Sequence, residues 1–158
     1  MSAERFSLDT NILVYALDGG GGLKHEVAAE IVDRATERDC WLTLQSLSEF
    51  YVAVTRKSLV SKQEAAAQVE DWLLLFPTLA VTPLAIRAAL AHAEAGRASY
   101  WDALLVETAG EGGCAFLLSE DMTDGGRLGA VTVANPFGAH GMAPTAARIL
   151  SPKGAKGA

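Results

Sequence analysis

A chain of 158 residues, half of them hydrophobic and a fifth charged, carries enough apolar material for one buried core, and that balance excludes a disordered polypeptide. No apolar run approaches the ~20 residues that span a bilayer, and the opening Met1 to Phe6 has neither the basic region nor the apolar stretch of a signal peptide. The expectation is a soluble, cytoplasmic protein without membrane contact. A net charge of -6 has the wrong sign for a surface that grips phosphates unaided, unless several acids are gathered where divalent cations neutralise them and present a positive face.

Along the chain, Arg5 to Leu8 reads as a short strand, followed by Asp9-Thr10-Asn11 and the apolar run Ile12 to Ala16. Gly19 to Gly22 form a flexible loop. From Leu23 to Arg38, Val27, Ala28, Ile31, Val32 and Ala35 recur at helical spacing. Cys40 to Leu44 is a second strand, and Leu47, Phe50, Tyr51 and Val54 mark another helix. Ser61 and Glu64 make a capping box that opens a helix ended by Pro77. Leu79 to Val81 is a third strand; Thr82 then caps a helix with Pro83 at its first position, where a missing N–H costs nothing. A helix over Ser99 to Gly110, a strand over Cys114 to Leu118 and a last strand over Val131 to Val133 complete the pattern. Strands alternating with helices predict an α/β fold, a three-layer sandwich around a mostly parallel sheet. Beyond Phe137 the periodicity fades, so residues 1–137 are read as the domain and 138–158 as a loosely held Ala/Gly/Pro-rich tail without an assigned role.

In an open parallel sheet, ligands bind beyond the C-terminal ends of the strands. Asp9 follows the first strand and Asp121 the strand ending at Leu118. Glu49 lies in the first turns of the helix after the second strand, and Asp102 in the first turns of the helix preceding Cys114 to Leu118. Taken singly, each has an ordinary explanation as a cap, a dipole partner or a turn residue. Jointly they map to one edge of the sheet. Two carboxylates ~4 Å apart repel by roughly 4 kcal/mol at an effective dielectric of 20, so such a cluster must take up protons or bind cations. Oxygen ligands without His or Cys suit Mg²⁺ or Mn²⁺, and an open site of that kind suits phosphodiester hydrolysis.

Leu8-Asp9-Thr10-Asn11-Ile12-Leu13-Val14-Tyr15 resembles the opening motif of PIN-domain nucleases. Ser48-Glu49-Phe50, Tyr100-Trp101-Asp102-Ala103-Leu104 and Leu118-Ser119-Glu120-Asp121-Met122 resemble its later motifs in the same order, and Asn135-Pro136-Phe137 is similar to the ending of the VapC branch, the toxins of bacterial toxin–antitoxin pairs. The resemblance implies a PIN-like sandwich and a metal-dependent endoribonuclease that cuts RNA. It further implies a homodimer and a cognate antitoxin whose tail enters the active-site groove. By position it makes Asp9, Asp102 and Asp121 the principal metal ligands, with Glu49 either at a second metal or orienting the attacking water. Thr10, Asn11 and Ser119 would support these acids by hydrogen bonds, and Glu120 and Asp124 stand near enough in sequence to serve as auxiliary acids.

Arg56, Lys57, Arg97 and Arg127 are the basic residues expected nearest the active edge, as contacts for RNA or as solvated charge. Trp41, Trp72, Trp101, Phe50 and Tyr51 lie in apolar patterns and are expected in the core, with the Phe50–Tyr51 face a candidate for burial against a second subunit. His25, His92 and His140 form no triad, and Cys40 and Cys114 read as buried, reduced thiols. A phosphatase of the haloacid dehalogenase type would need a second Asp where Asn11 stands. A free-standing RNA-processing nuclease and a catalytically silent RNA- or partner-binding module are the other readings.

Overall fold

The structure, a computed structural model, describes residues 4–152. Its elements run β1 (Phe6–Leu8), α1 (Thr10–Leu17), α2 (Leu23–Ala35), β2 (Leu42–Thr43), α3 (Leu44–Arg56), α4 (Lys62–Leu75) and β3 (Thr78–Leu79). Then follow α5 (Pro83–Glu94), α6 (Tyr100–Glu111), β4 (Phe116–Leu118), β5 (Arg127–Leu128), β6 (Val131–Ala134) and α7 (Pro144–Ile149). Strands β1, β4 and β6 pair in parallel, and β5 closes that sheet antiparallel to β6. A second parallel pair, β2–β3, meets the other side of β1 through a bridge between Phe6 and Cys40. Mostly parallel strands between helical layers are the expected sandwich. Among the described residues no helix is long and apolar enough to cross a membrane.

The central strands β1, β4 and β6 are largely buried, and their side chains alternate between two cores, whereas β3 and β5 at the edges are half-buried or exposed. Phe6, Leu8 and Leu118 face a large cluster with Ile12, Leu13, Ile31, Phe50, Val54 and Trp72 from α1 to α4. Leu117 and Val131 face the opposite way, onto Leu105 and Val106 of α6, against which α5 packs through Ala85 and Ala89. Caps act where the sequence places them: Ser61 on α4, Thr82 on α5 and Ser99 on α6 each accept a backbone N–H of the first turn.

Three expectations need correction. The segment after Phe137 is not loose throughout: α7 buries Ala146, Ile149 and Leu150 in the large core, and Arg38 Nε donates to Leu150 O at 2.8 Å. Apolar spacing of i, i+3, i+4 behind Pro144 was the available signal, carried by too few residues to rise above Gly and Pro neighbours. The expected mobile end, 153–158, lies outside the described residues. Trp101 is 63% exposed rather than in the core, whereas Trp72 is 4% exposed. Phe50 is fully buried edge-on against Trp72, so only Tyr51 of that pair reaches the surface.

Candidate active site

Asp9 ends β1 and caps α1, so the strand end and the helix start fix its carboxylate together. Its Oδ1 accepts from Thr10 N at 2.7 Å, and its Oδ2 accepts from Ser119 Oγ at 2.7 Å. Because Asp9 N donates to Leu118 O, the two strand ends are locked in register, and Ser119 Oγ also accepts from Asp121 N at 3.2 Å. Asn11 Nδ2 lies between two carboxylates, donating to Asp121 Oδ2 at 3.0 Å and Asp9 Oδ2 at 3.3 Å. Thr10 Oγ1 donates to Glu49 Oε2 at 3.0 Å, and Gln45 Nε2 donates to Glu49 Oε1 at 2.8 Å. Asp102 sits in the first turn of α6, its backbone N–H donating to Ser99. The four sequence-predicted acids thus share one edge of the sheet. Thr10, Asn11 and Ser119 are the hydrogen-bond partners that hold three of them.

Burial pushes the Asp9 carboxyl up to about 6, and the charges of Asp121 and Asp102 add to the rise, against hydrogen bonds from Ser119 and Thr10 that favour the ionised form. Asp121 is exposed and Asp102 half-buried, so both are open to a ligand. Among the described residues, no three His, Cys, Asp or Glu side chains are drawn together closely enough to hold a metal ion. Yet the donors available are all oxygens, the charges of two further carboxylates act on the buried Asp9, and an amide hydrogen donor stands between Asp9 and Asp121. That chemistry fits a hard divalent cation in an open site.

The neighbouring acids have other duties. The Glu120 carboxylate pairs with Lys24 Nζ at 2.7 Å and accepts from the Tyr15 hydroxyl. Partial burial pushes its carboxyl up, but these hydrogen bonds outweigh that and leave it below its ordinary value. Asp124 Oδ1 accepts from Asn135 N at 2.8 Å, Asn135 Oδ1 accepts from Phe137 N, and Phe137 packs edge-on against Tyr15. Both acids therefore fasten the loop that carries Asp121.

Of the basic residues, Arg97 and Arg127 line a groove of about 270 Å³ together with Asp102 and Asp121. Arg97 Nε donates to His92 Nδ1 at 2.9 Å, and His92 Nε2 bonds Glu107 at 2.6 Å, so the arginine is held by a chain reaching from α5 to α6. Arg56 and Lys57 are exposed at the far end of α3, roughly 10 Å along the helix from Glu49, and are not brought to the groove. Sequence reasoning missed Gln45, Lys24, Tyr15 and His92. Lys24, Tyr15 and His92 have partners on other elements that no local spacing marks, whereas Gln45 stands four residues before Glu49 on α3, a helical spacing that could have found it.

The sequence matches the family model of the PIN domain over residues 7–122. Solved structures of similar fold include the Mycobacterium tuberculosis toxin VapC20, which cleaves the sarcin–ricin loop, at 16% identity, TM-score 0.58, covering 73% of this chain and 91% of that one. VapBC2 of Rickettsia felis, bound to a fragment of its promoter DNA, is similar at 16% identity and TM-score 0.59, over 83% and 98% of the two chains. FitAB bound to a DNA fragment is similar at 17% identity and TM-score 0.54, over 73% and 85%. No curated protein matches by sequence.

Proposed function

Because this chain belongs to the PIN-domain family, we propose that it is a divalent-metal-dependent endoribonuclease, active with Mg²⁺ or Mn²⁺, and the toxin of a toxin–antitoxin pair. The observation that carries the reading is the buried Asp9 under the charges of Asp102 and Asp121. Asp9, Asp102 and Asp121 would hold the cation, with Glu49 completing the site. A cation held there supplies a water of lowered pKa and positive charge against the phosphoryl oxygens. Glu49, steadied by Thr10 and Gln45, would either hold a second cation or accept a hydrogen bond from the attacking water. Hydrogen bonds from Ser119 and Thr10 oppose the rise that burial imposes on Asp9, and Arg97 and Arg127 offer the phosphate strand a positive groove wall in a chain of net charge -6.

Two features favour a protein partner and hence the toxin role. VapBC2 and FitAB, similar in fold, are two-component complexes by name. An apolar groove of about 530 Å³ between α3 and α4, lined by Leu44, Tyr51, Val52 and Leu73, is a surface a cognate antitoxin or a second copy in a homodimer would cover. The site also speaks against the phosphatase alternative, since Asn11 donates hydrogen bonds to carboxylates and cannot protonate a leaving group.

Labelled RNA incubated with the protein and Mg²⁺ or Mn²⁺, with an EDTA control, tests the reading. Discrete metal-dependent fragments are expected from the wild type and none from Asp9→Asn or Asp102→Asn, both of which should melt cooperatively by circular dichroism. Equal cleavage by the variants, or none by the wild type with either metal, would move the weight to a silent binding module. Cleavage without any partner that suppresses it would favour a free-standing processing enzyme.

A further inference from the structure

Trp101 is 63% exposed and immediately precedes Asp102, whereas tryptophan in folded proteins is highly buried on average. The Tyr100 ring meets Trp101 edge-on at 5.2 Å and 70°. Gln45 Nε2 donates to Trp101 O at 3.1 Å while also donating to Glu49 Oε1 at 2.8 Å, so one amide ties the tryptophan's backbone to an acid of the site. Arg97 and Arg127, by contrast, stand with Asp102 and Asp121 in a groove that Trp101 does not line.

We propose that Trp101 is a stacking platform for an unpaired nucleobase of the RNA strand, on the α3 side of the carboxylates, with Gln45 tying the backbone that carries it to α3. The inference rests on the nuclease reading above and adds how the strand is bound. A chain of net charge -6 with two arginines at its groove has little electrostatic hold on a polyanion. Stacking needs no charge, and every base offers a π-face once it is unpaired. A platform one residue from Asp102 engages a nucleotide close to the scissile phosphate, and a base locked in a duplex cannot reach it.

The test measures cleavage of a labelled unpaired RNA oligonucleotide, and of the same sequence carrying an abasic residue at each position in turn. Wild type, Trp101→Phe, Trp101→Leu and Gln45→Ala are compared, with melting curves for each. Trp101→Leu is expected to raise KM roughly 5- to 150-fold with kcat little changed, the fold-change that ~1–3 kcal/mol of stacking corresponds to. Trp101→Phe should recover most of that loss, and Gln45→Ala, which also frees Glu49, should lower kcat as well as raise KM. One abasic position should weaken cleavage by the wild type and leave Trp101→Leu indifferent. Wild-type KM in Trp101→Leu would overturn the proposal while leaving the nuclease standing. If that variant instead changes sedimentation or loses an antitoxin, Trp101 belongs to a protein interface and the proposal also falls. No cleavage by the wild type removes the nuclease reading and this inference with it.

Discussion

Raising the Asp9 carboxyl from an ordinary 3.8 to about 6 sets ~3 kcal/mol against its ionised form, mostly through burial. In the metal-free protein the folded state holds this proton to higher pH than the unfolded state does. The stability it contributes is therefore whole below about pH 4 and is lost as pH rises through about 6. Asp9→Asn removes the charge and keeps the shape. It is expected to melt several degrees higher than the wild type at pH 7 without metal, and to lose most of the wild type's decline between pH 4 and 6. Adding Mg²⁺ or Mn²⁺ should raise the melting temperature of the wild type and leave the variant unmoved. Thermal melts across that pH range, in EDTA and in metal, decide it, and identical pH slopes for the two proteins would refute the account.

Elements, rather than single residues, set where the acids point. Consecutive residues Glu120 and Asp121 follow the same strand, yet Glu120 is turned to Lys24 on α2 and Tyr15 on α1, while Asp121 meets Asn11. Lys24 lies over the Tyr15 and Phe137 rings as well, so α1, α2 and the Asn135-Pro136-Phe137 turn jointly clamp the loop after β4. Lys24→Met breaks a half-exposed ion pair worth less than ~1 kcal/mol to stability. It is nevertheless expected to lower kcat several-fold by loosening Asp121. Kinetics beside a melting curve would show activity falling while the melting temperature hardly shifts. A loss of both in proportion would make the clamp a packing feature only.

On the scale of the molecule, two cores on opposite faces of one sheet hold its C-terminal edge rigid, and the chain closes the larger core with α7. Leu150 is fully buried there, so Leu150→Ala is expected to cost ~2–5 kcal/mol, as core truncations do. Urea unfolding would measure it, and a cost below ~1 kcal/mol would return the segment to the status of a dispensable tail. The contrast with Arg56 and Lys57 belongs to the same scale. They were expected near the candidate active edge, but α3 starts there and carries its far end away from it.

What the sequence by itself determined is the alternation of elements, their caps and the four acids at the ends of strands and the starts of helices. These are local properties: a side-chain period, a hydroxyl before a first turn, a polar residue where a strand stops. Asp9, Glu49, Asp102 and Asp121 were legible as candidates for that reason, whereas Thr10, Asn11 and Ser119 beside them came from the resemblance to the PIN motifs. Only the tertiary structure decided that Trp101 stands out in solvent, that Glu120 and Asp124 fasten a loop, that His92 holds Arg97 and that α7 is part of the core. A helical period states which face is apolar and a carboxylate states that it needs a partner. Which neighbour covers that face or meets that charge depends on an element brought from far along the chain, and burial, hydrogen bonding and charge all follow from that arrival.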